Sequence, residues 1–239
     1  MIHLESFGNQ ATGGCRQFLV ERQQRSSIGY VLKADIRHYF DTVDRQILMG
    51  LIKRKVKDRL VLKLIQKILD NHITRYPKRG MPIGNLTSQF VANLYLNELD
   101  YFIKHKLKAK FYVRYVDDFV ILHESKDKLE LWKREIEHFL KILKLEIHPE
   151  KSNVFPFHKG TKLLGYRVFY HYKLLKRSNI QTVTRRLEEF KQLYEEGDIS
   201  REKIMRSIQS WMAYAKHASS YKTRRGITKQ LNSFGTEKE

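Results

Sequence analysis

The sequence predicts an α+β fold, and three observations carry the prediction. Short β-rich runs alternate with longer stretches whose apolar residues recur at helical spacing. Only four prolines interrupt the 239 residues, and neither a repeat nor a low-complexity segment marks a linker. Towards the C-terminus the β-rich runs cease and the pattern becomes helical alone. A chain of this length can bury a substantial core and sits near the upper size of one cooperative domain. The expectation is one compact body with a smaller C-terminal lobe.

YVLKADI (30–36) is a β-rich run with Asp35 near its end. Two basic helices are expected next, over 44–57 and 58–71, the second carrying LVLKLIQKIL. Pro77, Gly80 and Pro82 then break the pattern as a loop. Between 86 and 106 the spacing is helical, with Val91, Tyr95, Leu99 and Phe102 on one stripe. KFYVRYVDDFVIL (110–122) places two β-rich runs around an Asp-Asp pair and reads as a hairpin. Leu129, Trp132, Ile136, Phe139 and Leu143 mark another amphipathic helix, with Ser125 as its N-cap. LLGYRVFYHYKLL (163–175) predicts a further hairpin. Two tail helices come next, over 182–196 and 201–219, parted by Gly197-Asp198. Ile204, Ile208, Trp211 and Ala215 form the buried stripe of the second.

The formal net charge is +20. Solubility alone asks for a magnitude of only about 2–8 in a small domain. A polyanionic partner is therefore expected, because each lysine or arginine near a phosphate releases a condensed counterion. Nucleic acid is favoured and an anionic membrane comes second. KRKVKDR (53–59), KHKLKAK (104–110) and YKTRRG (221–226) are candidate contact runs, and each is equally an ordinary solvated face. The single cysteine, Cys15, rules out an intrachain disulfide and suits a reducing compartment. No apolar run approaches the roughly 20 residues of a membrane span, and MIHLESFGNQ lacks a signal-peptide core. The expectation is an intracellular, soluble, cytoplasmic protein without a membrane partner.

Three aspartates stand out by position. Asp35 ends a predicted strand, and Asp117-Asp118 sits at a hairpin tip. Carboxylates on strand ends have fixed geometry, and phosphoryl chemistry uses such groups to hold two divalent cations about 3.5–4 Å apart. Magnesium suits them because it prefers hard oxygen ligands and keeps several waters. Neighbouring strand residues face opposite ways, so both aspartates share a site only if the turn bends between them. Asp117 is expected to be the firmer ligand and Asp118 the more peripheral. Asp is also common in turns for purely local reasons, so the pair alone decides nothing.

YVRYVDDFVIL resembles the catalytic hairpin of reverse transcriptases, whose signature is Tyr-x-Asp-Asp. KADIRHYFDTVD (33–44) is similar to the family's first aspartate motif, which makes Asp35 the third metal ligand. The resemblance implies two Mg2+ ions on Asp35, Asp117 and Asp118, with Mn2+ as a substitute. It also implies that Phe40, five positions after Asp35, excludes the ribose 2′-hydroxyl of the incoming nucleotide, although Phe40 is equally plain core. GMPIGNLTSQFVANLYLNELD (80–100) resembles the segment contacting nucleotide and template, with Ile83, Gly84 and Gln89 at the nucleotide. Ile83 and Gln89 stand where most of the family has Gln and Pro. That pattern resembles diversity-generating retroelement enzymes and implies error-prone copying opposite adenines. Ile83 cannot donate an amide hydrogen bond beside the nascent pair, which lowers discrimination. Group II intron and retron enzymes are the related alternatives.

KLEIHPEKS (144–152) resembles the motif that places a lysine, here Lys151, by the triphosphate, where it would neutralise charge or protonate pyrophosphate. A solvated structural lysine is the alternative. LLGYRV resembles the primer grip, with Leu164, Gly165 and Tyr166 at the primer. SIQSWMAYAKHASSYKTRRGI (207–227) resembles the helical thumb, in which Trp211 and Tyr214 are either stacking platforms or core.

The expected architecture is a right-hand polymerase, with an antiparallel palm sheet packed by helices, partial fingers and a helical thumb. Its expected divisions are a residual fingers segment over 1–29, a palm with part of the fingers over 30–176, and the thumb over 177–239. The family normally has a further fingers block before the first aspartate motif. SFGNQATGG is similar to the segment that comes after that block, and Arg16, Arg22 and Arg25 are basic residues there. The expected partners are an RNA template, a DNA or RNA primer and dNTPs. A small basic accessory protein or a separate fingers-bearing chain is also expected. Two functional readings stand: an RNA-directed DNA polymerase, or a catalytically impaired nucleic-acid-binding remnant or subunit of a split enzyme.

Overall fold

The computed structural model describes residues 29–71, 78–81, 86–169 and 171–234. It forms two compact units that divide between His158 and Lys159.

The first unit is built on a four-stranded antiparallel sheet. β1 (Tyr30–Asp35), β2 (Phe111–Tyr115), β3 (Asp118–His123) and β4 (Asn153–Pro156) lie in the order β2-β3-β1-β4. β1 and β3 are central, and Val31, Leu32, Ala34, Phe119, Val120, Ile121 and Leu122 are buried. Burial of successive residues explains why these strands read as apolar runs. β2 and β3 form the expected hairpin, paired from Phe111↔Leu122 to Tyr115↔Asp118. β4 has no counterpart among the sequence expectations; it pairs with β1 from Tyr30↔Pro156 to Lys33↔Asn153.

The helices of this unit are α1 (Tyr39–Thr42), α2 (Arg45–Lys55), α3 (Arg59–Asp70), α4 (Leu86–Tyr101) and α5 (Lys126–Ile142). Side-chain caps start three of them. Asp44 accepts from the Gln46 and Ile47 amides, Asp58 from those of Leu60 and Val61, and Ser125 from that of Lys128. Val91, Tyr95 and Leu99 of α4 are buried as their spacing predicts. The helix expected to run through Lys106 ends instead in a π-turn over Phe102–Lys106. That turn keeps Ile103 buried and stacks Phe102 on Phe139, with ring centres 4.3 Å apart. Buried tyrosine hydroxyls find carbonyls: Tyr39 donates to Ala92 at 2.6 Å and Tyr95 to Leu143 at 2.7 Å.

The second unit joins a small sheet to three helices. The expected hairpin is a three-stranded meander of β5 (Thr161–Leu163), β6 (Tyr166–Val168) and β7 (Lys173–Leu175). Leu164 and Gly165, both at positive φ, make the two-residue turn between β5 and β6. α6 (Arg177–Glu195) starts earlier than its apolar spacing suggests, and α7 (Arg201–Lys216) comes closely after it. A third helix, α8 (Tyr221–Asn232), has no counterpart among the sequence expectations. Its Ile227 and Leu231 pack with Val183, Leu187 and Phe190 of α6 and Ile204 and Ile208 of α7. Tyr166, Val168 and Leu175 pack with Ala215, so the meander belongs with these helices.

Candidate active site

The sheet register gathers the predicted carboxylates. Asp35, the last residue of β1, lies directly opposite Asp118, the first of β3. Directly opposed residues project to the same face. Asp117 occupies the two-residue turn before β3, and the Ile36 amide donates to its carbonyl at 3.3 Å. The bend that two adjacent aspartates require is supplied by Val116, whose φ is 55°.

Lys151 joins them from a loop that folds back onto the end of β1. Ile147 bridges to Ile36, and the His148 amide donates to the Asp35 carbonyl at 2.7 Å. Buried Ser152 accepts from the Asp35 amide at 3.3 Å. This ladder sets the Lys151 ammonium 2.8 Å from the Asp35 carboxylate. On the other side, Lys33 lies 3.2 Å from Asp118. Lys33 is not among the residues the motifs single out, though it sits two positions before Asp35 and therefore on the same strand face.

The electrostatics match this crowding. Burial, joined by the charges of Asp35 and Asp118, raises the Asp117 carboxyl above its usual range. The hydrogen bond and charge of Asp35 raise the Lys151 ammonium likewise. Among the described residues, no three His, Cys, Asp or Glu side chains already gather as a ready metal cage. The chemistry of the donors nonetheless fits a hard cation. All three are carboxylates, mutual repulsion disfavours ionised Asp117, and lysines already serve as counter-charges to the other two.

The remaining predicted residues are less convergent. Phe40, on α1, is partly buried against the core and meets Tyr39 edge-on at 5.5 Å. Gln89 is exposed on the first turn of α4. Ile83 and Gly84 lie outside the described residues, as do Cys15, Arg16, Arg22, Arg25 and the prolines at 77 and 82. Leu164, Gly165 and Tyr166 belong to the second unit, at and beside its β5–β6 turn. A side chain at Gly165 would collide with the Tyr214 hydroxyl and crowd the Asn179 amide, so packing inside that unit already demands glycine. Tyr214 stacks on Tyr166 at 4.7 Å, and Asn179 donates to its hydroxyl at 2.9 Å. Trp211 is only partly buried, packing beside both clusters of the unit. Of the basic runs, Lys53, Arg54, Lys55, Lys104 and Lys106 are exposed.

The sequence model of the family described as Reverse transcriptase (RNA-dependent DNA polymerase) matches residues 1–168. The chain belongs to the reverse transcriptase family. Among its relatives, Protein YkfC of Escherichia coli is 25% identical over 177 residues, covering 58% of this chain and 46% of that protein. Group II intron-encoded protein LtrA of Lactococcus lactis is 27% identical over 207 residues, covering 58% of this chain and 35% of that protein. The chain thus spans less than half the length of both of these reverse transcriptase relatives. Telomerase from Candida albicans, solved in complex with a fragment of telomeric RNA, has a similar fold. Its TM-score is 0.57 at 12% identity, over 95% of this chain and 44% of that one. Apo telomerase from Candida tropicalis gives 0.52 at 16% identity, over 73% and 39%. The mixed, antiparallel architecture is that of a reverse transcriptase polymerase fold.

Proposed function

We propose that this reverse transcriptase relative is an RNA-directed DNA polymerase whose catalytic centre is Asp35, Asp117, Asp118 and Lys151. The observation that carries the reading is the direct apposition of Asp35 and Asp118 across β1 and β3, with Asp117 in the adjoining turn. The first unit is then palm with part of the fingers, and the second contains the primer-grip turn and the thumb.

Asp35, Asp117 and Asp118 would hold magnesium ions, or manganese in their place. When bound, the ions supply positive charge where the attacking primer oxygen, the α-phosphate and the departing pyrophosphate become more negative. The primer 3′-oxygen forms the new bond to the α-phosphorus while the bond to pyrophosphate breaks. Lys151, exposed and fully protonated at neutral pH, is suited to neutralise the triphosphate and to give the leaving pyrophosphate its proton. Phe40 would exclude the 2′-hydroxyl of a ribonucleotide. Exposed Gln89, together with Ile83, would form the template–nucleotide contact, with the relaxed fidelity of a diversity-generating retroelement enzyme. The exposed lysines of the basic runs suit an RNA–primer duplex.

The test is primer extension on poly(rA)–oligo(dT) with dTTP and magnesium, wild type against Asp117→Asn. Metal-dependent DNA synthesis falling about 100-fold or more in the variant is expected. A second reading, a nucleic-acid-binding subunit awaiting a partner, draws on the lysines that already neutralise two of the three carboxylates. Wild type that binds the duplex without extending it would replace the first reading with the second.

A further inference from the structure

Val116 poses a physical problem that the catalytic reading does not address. It is β-branched and sits at φ 55°, in a region such residues rarely occupy and whose cost is about 1–3 kcal/mol. Two-residue hairpin turns of this kind normally put glycine or asparagine at that point. The conformation persists only if its surroundings hold it.

What holds it is a buried guanidinium. Arg114, on β2, donates through Nη1 to the Val116 carbonyl at 2.9 Å and to Asn93 Oδ1 at 3.1 Å. Its Nε and Nη2 grip both carboxylate oxygens of Asp100, at 2.7 and 2.5 Å. Tyr112 donates to the same carboxylate at 2.6 Å. The Arg114 side chain is 9% exposed. Asn93 and Asp100 both lie on α4, so the fork ties the turn to a helix rather than to its own hairpin. Burial works against the guanidinium charge, and the Asp100 hydrogen bonds and charge more than offset it. Burial and the Asp100 charge likewise keep the Tyr112 hydroxyl protonated and able to donate.

We infer that Arg114, anchored by Asp100, Asn93 and Tyr112, is a positioning residue that clamps the strained Val116 turn and so sets where the Asp117 carboxylate points. The inference rests on the polymerase reading for its consequence and on geometry alone for the clamp. Lysine cannot substitute, because a point charge cannot span a carboxylate, an amide oxygen and a carbonyl at once.

The test uses the full chain with Arg114→Lys, Asp100→Asn and the double variant Arg114→Lys/Val116→Gly. Amide hydrogen exchange of residues 115–118 reads the clamp without any catalysis. In Arg114→Lys and in Asp100→Asn these amides should exchange at least about tenfold faster, while the Val31 and Leu32 amides at the sheet centre keep their protection. Unchanged exchange at 115–118, or loss of protection across the whole sheet, overturns the clamp. In primer extension kcat should fall roughly 10–100-fold with KM for dTTP within about twofold. Val116→Gly should restore part of that loss, since glycine takes the left-handed conformation without being held. Full kcat in Arg114→Lys, or a loss that Val116→Gly leaves untouched, also overturns it. Wild type without DNA synthesis defeats the polymerase reading alone, and the exchange experiment still decides the clamp.

Discussion

Asp117 carries a conflict between stability and function that can be measured at a single side chain. Its carboxyl is half-buried beside Asp35 and Asp118, and burial together with those charges raises its proton affinity. A carboxyl raised in the folded state binds its proton more tightly there than in the unfolded chain. The folded state is thus favoured while the group is protonated, and that advantage is lost as pH climbs through the raised value. At neutral pH, with chelator present, Asp117→Asn should therefore melt higher than wild type, by about 1–2 °C after allowing for solvent screening. The gap should close as the pH is lowered past the raised carboxyl value. Differential scanning calorimetry from about pH 4 to 8 in EDTA is the measurement. A variant that melts lower at neutral pH would show that the turn, and not the charge, is what asparagine disturbs. Gain in stability together with loss of synthesis is the signature of a site organised for chemistry at the fold's expense.

At the scale of elements, α8 is the plainest case of structure hidden from the sequence. Gly226 lies mid-helix, the flanks are Lys and Arg, and only Ile227 and Leu231 are buried. Such a thin stripe gives little periodicity to read, and its helicity comes from the α6 and α7 side chains it meets. Leu231→Ala should cost about 2–4 kcal/mol in urea denaturation, whereas Tyr221→Ala, at an exposed position, should change stability by less than about 0.5 kcal/mol. Equal, small effects would mean that α8 contributes little to its unit. β4 is hidden for a different reason. Asn153-Val-Phe-Pro is four residues long and ends in proline, and only its partner β1 makes it a strand. By contrast, β1, the β2–β3 hairpin and the α4 stripe are legible because apolar runs and spacings are local properties. Asp35, Asp117 and Asp118 are legible as residues of a motif. Their cross-strand register, the Lys33 pairing and the Arg114–Asp100 fork are not, since each depends on which strand or helix lies alongside.

For the whole molecule, the net charge of +20 sets the terms of nucleic-acid binding more than any single contact does. Lysines and arginines of the basic runs stand exposed on α2, on the π-turn after α4 and on α8. Binding to an RNA–DNA duplex should consequently weaken about tenfold or more between roughly 50 and 200 mM salt, with a log–log slope that changes little with sequence. Fluorescence anisotropy with two unrelated duplexes measures both. A flat salt dependence would transfer the recognition to base contacts and stacking.

The same β4 that escapes sequence reading has a consequence for self-association. An open sheet edge with free amides and carbonyls is a template on which copies of a chain can add strand upon strand into fibres. β4 is one of the two edges of the four-stranded sheet, it is only four residues long, and its last residue, Pro156, has no amide hydrogen to offer a newcomer. A concentrated solution of this chain is thereby protected along that edge from growing into filaments, at no expense to the face that carries the carboxylates.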